Sequence, residues 1–184
     1  MPAPVVLILA AGRGKRFLAS GGNTHKLAAL LNGKPVLGHV QEALETANLR
    51  WHLVCPEGGT CGIGKSIALG VEATIQAPGW LILPADLPLI QPSSLQRVAA
   101  ELEESSIVVP HYQHYSGHPV GFRQEHRAEL LALSGDTGAK EIVGRARLRG
   151  EAKDIFLSDY GITHDIDTLA DLYAAQRLTD LSRA

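Results

Sequence analysis

The stretch that decides the fold reads Val5-Val6-Leu7-Ile8-Leu9-Ala10-Ala11-Gly12-Arg13-Gly14-Lys15-Arg16-Phe17. Its apolar first half has the length of a buried β-strand and is too short to span a membrane. Two glycines follow, and their conformational freedom lets backbone N–H groups approach an anion closely. Arg13, Lys15 and Arg16 place three positive charges within four residues, more than a surface turn needs. The pattern therefore predicts a strand that opens into a polyphosphate-binding loop.

The composition indicates one well-buried domain. The 184 residues are 45% hydrophobic and 20% charged, and 17 Lys and Arg stand against 19 Asp and Glu, giving a formal net charge of −2. This length suits a single domain, residues 1–184. The charges form no like-charged blocks, so we expect neither a nucleic-acid nor a membrane partner. Two cysteines are too few for a disulfide framework, and the first apolar run is interpreted as a strand rather than a signal peptide. We therefore expect a cytoplasmic enzyme.

Strand and helix patterns alternate along the chain. After the first strand, the apolar runs predict further strands at 51–55, 80–83, 107–110 and 154–157. Helical spacing and start signals predict helices at 36–44, 66–76, 92–104, 124–133 and 139–147, with a last one after 165–168. Residues 111–123 are predicted to be extended. Repeated β–α units predict an α/β fold with a mainly parallel sheet and helices on both faces.

A second glycine-rich segment competes for the phosphates. Gly59 to Ser66 matches the P-loop pattern GxxxxGK[ST] and lies between a predicted strand and a predicted helix. In that interpretation Lys65 would bind the terminal phosphates, and Ser66 and Asp86 would hold magnesium. However, the Pro-Ala pair before Asp86 suits a turn better than a metal-holding strand end, and the cationic first loop would be left without a ligand. We assign the polyphosphate to the first loop and keep a P-loop NTPase as an outside alternative.

A series of motifs resembles, in order, the nucleotidyltransferases of the MobA-like superfamily. They are LAAGRGKRF at 9–17, KL at 26–27, GKPVL at 33–37, GIGKSI at 62–67, PADLP at 84–88, GHPV at 117–120, GDTGA at 135–139 and DIDT at 165–168. The combination resembles the molybdenum cofactor cytidylyltransferase branch, where the double alanine at Ala10-Ala11 goes with CTP. The family usually has room for a further strand and helix between Cys55 and Gly62, where this chain has six residues, so a shortened sheet is implied.

The resemblance implies both an activity and a set of site residues. The fold would be Rossmann-like, and CMP would pass from CTP to the terminal phosphate of molybdopterin with release of pyrophosphate; a molybdoenzyme could receive the product. The implied nucleotide-binding residues are Leu9, Ala10, Ala11, Gly12, Arg13, Gly14, Lys15, Arg16, Lys26, Ser66, Pro84, Ala85 and Asp86. The implied acceptor-binding residues are Gly117, His118, Pro119, Gly135 and Asp136. Of the first set, Arg16, Lys26 and Asp86 are the candidate catalytic residues.

The chemistry of this reaction asks for positioning and charge neutralisation. A phosphate monoester has a second pKa of about 6 and is largely dianionic at neutral pH, so no general base is required. Mg²⁺ prefers oxygen ligands, and Asp86 with Asp165 or Asp167 would supply them. Asp165 and Asp167 face the same side of an extended segment. We prefer Asp165, because Asp167 precedes Thr168, which resembles the N-cap of a capping box.

Other interpretations of the same residues stay open. The acceptor could be a sugar or alcohol phosphate, because the loop and metal motifs are shared more widely than the acceptor motifs. The chain could also be a non-catalytic carrier of the molybdenum cofactor. Asp136 could simply cap the helix that follows Gly135, and His118 could be a histidine at a strand edge.

Overall fold

A seven-stranded mixed sheet organises the computed structural model, which describes residues 2–183. Its strands are β1 (Val5–Leu9), β4 (Trp51–Val54), β5 (Gly79–Pro84), β6 (Ile107–Tyr112), β7 (Tyr115–Ser116), β8 (Val120–Arg123) and β9 (Ala152–Phe156). The short strands β2 (Leu30–Leu31) and β3 (Lys34–Pro35) pair with each other apart from it.

The strand order is β4-β1-β5-β8-β6, and β6 also pairs with β7 and β9. Strand β1 is parallel to both β4 and β5, and β6 is parallel to β9. Strand β8 is antiparallel to its neighbours β5 and β6, and β7 is antiparallel to β6. The predicted α/β fold with a mainly parallel sheet is therefore confirmed, with β7 and β8 as the strands of opposite direction.

The helices cover both faces of this sheet. They are α1 (Lys15–Ala19), α2 (Val36–Thr46), α3 (Ile63–Ala73), α4 (Pro92–Glu101), α5 (Arg127–Leu131), α6 (Lys140–Leu148) and α7 (Leu169–Arg183). Successive side chains of β1 point to opposite faces. Val6 and Ile8 pack with residues of α2 and α4, whereas Val5 and Leu7 pack with residues of α3 and α6. A smaller cluster around Phe17 joins α1 to α7.

Several element boundaries differ from those predicted. Helix α1 lies in the segment for which the sequence predicted only a polyphosphate-binding loop. Helix α3 begins at Ile63 rather than at residue 66, because Gly62, with φ of 121°, breaks the chain direction just before it. Helix α4 ends at Glu101 rather than 104; Glu103 and Glu104 would put further negative charge at the negative end of the helix dipole. Residues 124–133 form a 3₁₀ turn followed by the short α5.

The connection after β4 is short. Residues 55–62 lead from β4, the edge strand beside β1, directly into α3. No helix among residues 2–183 combines the length and apolar character needed to cross a bilayer.

Candidate active site

The site lies at the carboxyl edge of the sheet, where β1 and β5 end side by side. Leu9 and Pro84 are register partners, and the Ala85 N–H donates to the Leu9 carbonyl at 3.1 Å. On the other side of β1, the Ala10 N–H donates to the Val54 carbonyl at 3.0 Å. Ligands of open α/β sheets usually bind at this edge. The glycine loop and the Asp86 loop therefore leave the sheet at the same place.

The first glycine loop is anchored on both sides. Gly14 adopts a left-handed conformation, with φ of 62°, and begins α1. Phe17 on α1 is fully buried and holds the helix against the protein. His25 Nε2 donates to the Gly12 carbonyl at 2.8 Å, and its Nδ1 accepts from the Leu27 N–H at 3.2 Å. His25 thus ties the loop to the segment that carries Lys26.

Lys26 lies at the centre of a charged cluster. Its Nζ donates to Asp86 Oδ2 at 2.7 Å and to Asp167 Oδ1 at 3.1 Å. The Arg16 guanidinium contacts the second oxygen of Asp167 at 2.9 Å. Although burial lowers the pKa of Lys26, the two carboxylates outweigh it and raise that pKa above its usual value. The lysine is therefore a permanent cation that joins the first loop to the acidic residues.

Two carboxylates of this cluster, together with Asp165, could hold a divalent cation. One oxygen from each of Asp86, Asp165 and Asp167 lies within 4.8 Å of the others. Such a set fits Mg²⁺ or Mn²⁺, because hard divalent ions take oxygen ligands. Partial desolvation, together with the charges of Asp86 and Asp167, raises the pKa of Asp165. Lys26 and Arg16 contact Asp86 and Asp167 from one side, and a divalent cation would add positive charge to the same three acidic groups.

The capping box expected after Asp167 is present. Asp171 Oδ2 accepts from the backbone N–H groups of Asp167 and Thr168, at 3.0 and 2.7 Å, and from the Thr168 hydroxyl at 2.8 Å. The side chain of Asp167 is left free for its contacts with Lys26 and Arg16. The choice of Asp165 over Asp167 as a metal ligand stays a prediction.

Two clefts open beside the first loop and share its residues Ala10 to Arg13 as well as Leu27. The smaller, about 490 Å³, is lined by Leu9, Ala10, Ala11, Gly12, Arg13, Arg16, Lys26, Leu27, Thr60, Gly62, Ile63, Ser66, Pro84, Ala85, Asp86 and Asp136. It thus brings together most of the predicted nucleotide-binding residues, while Gly14 and Lys15 are not part of its lining. The larger, about 690 Å³, also contains His25, Ala28, Pro35, Leu37, Gly38, Gln41, Cys55, Pro56 and Gly59.

The predicted acceptor residues fall into two places. Asp136 lines the smaller cleft, and Gly135 lies behind it, where its carbonyl accepts from the Gly64 N–H at 2.8 Å. Gly117, His118 and Pro119 lie just before β8 and line neither cleft.

His118 is fixed by its backbone just before β8, near Asp86. Its backbone N–H donates to the Ile162 carbonyl at 2.9 Å, and its peptide bond to Pro119 is cis. Burial lowers the pKa of His118, with the Ile82 carbonyl and Asp86 acting in the opposite direction. Its buried Nδ1 has no hydrogen-bond partner among the described residues. A neutral imidazole with an unused polar atom therefore lies near Asp86.

In the second glycine-rich segment, residues 59–66, the Ser66 hydroxyl contacts a neighbouring hydroxyl and Lys65 faces solvent. Ser66 is buried, and its hydroxyl contacts the Thr60 hydroxyl at 2.6 Å. Lys65 is exposed and lines neither cleft. A Cβ on Gly62 would lie 2.3 Å from the Gly135 carbonyl oxygen, so this glycine is needed for packing. These contacts do not support the phosphate-binding roles that the P-loop interpretation gives to Lys65 and Ser66.

The sequence interpretation missed His25, Thr60 and the wall of the larger cleft. Gly38 and Gln41 lie three residues apart on α2 and so share one face of the helix, a signal the sequence contains. Cys55 and Pro56 follow β4, which is parallel to β1. Because ligands bind at the carboxyl ends of parallel strands, the sequence could have predicted that these two residues lie at the site. No sequence signal distinguishes His25 from an ordinary loop histidine.

The sheet, the cationic glycine loop and the facing carboxylates together are those of a nucleotidyltransferase. Residues 6–151 match the MobA-like NTP transferase domain, and the chain belongs to that family.

Solved structures agree on the fold. Mth528, a nucleotidyl transferase from Methanothermobacter thermautotrophicus, gives a TM-score of 0.79 at 18% identity, with 100% of both chains covered. Rv0371c from Mycobacterium tuberculosis, solved as a complex with manganese, gives 0.74 at 20% identity over 96% of this chain and 99% of that one. Molybdopterin-guanine dinucleotide biosynthesis protein A from Archaeoglobus fulgidus gives 0.62 at 15% identity over 96% and 99%.

One curated protein matches over a short stretch. Twenty-six residues, 14% of this chain, are 92% identical to the putative LysR family substrate binding domain-containing protein YagP of Escherichia coli K12. The match spans only 19% of that protein's length, and it carries no functional argument.

Proposed function

We propose that the protein transfers CMP from CTP to the terminal phosphate of molybdopterin and releases pyrophosphate, with Mg²⁺ as its metal. The observation that carries the proposal is the position of Lys26, which lines the cleft bordered by the cationic glycine loop and contacts Asp86 and Asp167. The choice of CTP and of a molybdopterin acceptor rests on the Ala10-Ala11, GHPV and GDTGA motifs.

The two clefts suit the two ends of a nucleotide. The smaller contains Arg13, Arg16 and Lys26, which match a triphosphate. The larger is mostly apolar and includes the amide of Gln41, which can both donate and accept a hydrogen bond. Because the clefts share the first loop, one CTP molecule could place its base in the larger and its phosphates in the smaller.

The protein side chains would act mainly through charge. Lys26, whose pKa is raised, would stay protonated and stabilise charge that builds at the α-phosphate. Arg13 and Arg16 would bind the leaving pyrophosphate. A divalent ion held by Asp86 with Asp165 or Asp167 would neutralise phosphate oxygens when bound. The dianionic acceptor phosphate needs no base and would lie toward Lys26 and the metal, while the Asp136 carboxylate, which lines the same cleft, would accept hydrogen bonds from the rest of the acceptor.

The proposal also covers the domain organisation, the location and the protein that receives the product. Residues 1–184 would act as one catalytic domain in the cytoplasm and would pass the product to a molybdoenzyme.

The proposal is tested by the nucleotide that the protein selects. Its melting temperature is measured with Mg²⁺ and each of CTP, GTP, ATP and UTP. A ligand that binds only the folded state stabilises it by about 2.7 kcal/mol at one hundred times its Kd. We expect the largest rise with CTP; a clear preference for another nucleotide would overturn the cytidylyl assignment.

A transfer assay then tests the acceptor. We expect pyrophosphate release from CTP only when molybdopterin is present. Release with a sugar phosphate instead would favour the wider nucleotidyltransferase interpretation. Binding of molybdopterin without any release would favour a carrier.

A further inference from the structure

Asp159 is a buried carboxylate that lies outside both clefts. Its side chain is only 3% exposed, and it accepts three hydrogen bonds. Oδ1 accepts from the Gly161 N–H at 2.8 Å, while Oδ2 accepts from the Gln91 N–H at 2.9 Å and from the Ser94 hydroxyl at 2.7 Å. Among the described residues it has no Lys, Arg or His partner within ion-pair distance. A buried charge without a cationic partner is costly, so these hydrogen bonds must stabilise it.

These bonds join two segments that are distant in sequence. Gln91 and Ser94 belong to the first turn of α4, which follows the Asp86 loop. Asp159 itself begins the turn that leads to Asp165 and Asp167. Gln91 provides no side-chain cap for α4, and the Asp159 carboxylate supplies the negative charge that a helix N-terminus favours.

Close packing leaves this junction little room to slide. A Cβ on Gly161 would lie 2.2 Å from the Leu89 carbonyl oxygen, so the two backbones touch. Further along, the Ile166 N–H donates to the Asp86 carbonyl at 2.9 Å. The separation of the acidic side chains therefore depends on how the turn after Asp159 sits against the Asp86 loop.

We propose that Asp159 is a positioning residue of the divalent-cation site: its carboxylate holds the loop of Asp165 and Asp167 against the loop of Asp86. This inference rests on the metal use in the proposed function. Asparagine has nearly the same shape, but one of its side-chain atoms is an NH₂ donor. In Asp159→Asn that donor would face a backbone N–H or the Ser94 hydroxyl, and the junction would loosen.

The test measures Mn²⁺ binding by the protein alone, by electron paramagnetic resonance, well below the melting temperature of each variant. We expect Asp159→Asn to raise the Kd for Mn²⁺ at least about tenfold, the effect typical of residues that orient metal ligands. Ser94→Ala removes one of the three bonds, and we expect a rise of about threefold. If Asp159→Asn does not fold, Ser94→Ala decides the question, and an unchanged Kd there overturns the inference.

A matched control separates positioning from general stability. The buried Trp80 indole donates to the Thr74 hydroxyl at 2.9 Å, at the end of α3 away from the clefts. Thr74→Val should lower the melting temperature by about 3 °C or more yet leave the Kd for Mn²⁺ unchanged. If Thr74→Val raised the Kd for Mn²⁺ as much as Asp159→Asn does, the effect of Asp159 would be one of general stability, and the inference would be overturned.

The failures of the two proposals are distinguishable. Equal Mn²⁺ affinity in wild type and Asp159→Asn would overturn the inference and leave the metal site standing. If the wild type bound no Mn²⁺, the metal site and the inference would fall together.

Discussion

Two glycine-rich segments of this chain occupy similar positions and do different things. The first, residues 12–14, joins β1 to α1, and the second, residues 59–66, runs from the connection after β4 into the first turn of α3. A Cβ added to Gly12 would meet nothing within 4 Å. A Cβ added to Gly62 or Gly64 would collide with the backbone of Gly135 or Ser134. Glycine therefore leaves open space beside the cleft in one segment and allows backbone packing in the other.

The folded surroundings of the two segments, rather than their match to a sequence motif, determine which one brings positive charges to the smaller cleft. Arg16 and Lys26, near the first segment, line the smaller cleft and contact the carboxylates of Asp86 and Asp167. Ser66 and Thr60, in the second, also line that cleft, but their hydroxyls contact each other, and Lys65 is exposed outside it. The segment that matches the P-loop pattern in full is thus the one whose glycines are used for packing.

The largest expected effect comes from the carboxylates that Arg16 and Lys26 contact near the first segment. Asp86→Asn removes one of the three clustered carboxylates and the closest partner of Lys26. Metal-ion stabilisation of a phosphoryl transition state is worth several kcal/mol, so we expect kcat to fall roughly 10³-fold. Turnover at saturating CTP and Mg²⁺ measures it.

The control for this prediction is Asp154→Asn, an exposed carboxylate on β9 that pairs with His111 and Arg147. Its kcat should stay at the wild-type value. Full activity in Asp86→Asn would contradict the role of Asp86 as a metal ligand, which the first-loop and the P-loop interpretations share.

The two lysines give the next largest difference. Lys26→Ala removes the cation between Asp86 and Asp167, and we expect kcat/KM for CTP to fall about 10²-fold, as for the loss of one preorganised charge donor. Lys65→Ala removes an exposed side chain and should change kcat/KM less than about twofold. Steady-state kinetics on both variants, with melting temperatures to show that each is folded, measure the effect. The reverse ranking would restore the P-loop interpretation.

Local chemistry explains what the sequence could predict. The apolar run of β1, the glycines and cations after it, and the repeated β–α units predicted the sheet and the loop, because each depends on neighbours in the chain. The acidic cluster followed from a family resemblance for Asp86, Asp165 and Asp167. The hydrogen bond from His25 to Gly12 and the hydrogen bonds of the Asp159 carboxylate join segments that meet only after folding. No local sequence pattern predicts them.

A pair of glycine substitutions tests the packing difference directly. Gly62→Ala would place a Cβ 2.3 Å from the Gly135 oxygen at a backbone φ of 121°, which side-chain-bearing residues rarely adopt. We expect a loss of about 2–3 kcal/mol in the free energy of unfolding. Gly12→Ala meets no atom and should change that free energy by less than about 0.5 kcal/mol. Urea denaturation measures both.

The substitution in the first segment should also change nucleotide binding. Gly12 lines both clefts, so its added methyl group would lie beside the ligand, and we expect a higher Kd for CTP in Gly12→Ala. If Gly12→Ala were the less stable variant, the two segments would have exchanged roles.

The smallest expected effect concerns the larger cleft, which the first segment also borders. Gln41 lies in its wall, and its amide can accept from the exocyclic amine of cytosine while donating to the adjacent ring nitrogen. Gln41→Ala removes both bonds, each worth little net of its exchange with water, so we expect KM for CTP to rise roughly tenfold with kcat nearly unchanged. The control is Gln96→Ala on α4, which loses only a bond to the carbonyl of Ala47 at the end of α2, and it should keep the wild-type KM. A fall in kcat without a change in KM would mean that the base does not lie against Gln41, and the larger cleft would then be open to the acceptor.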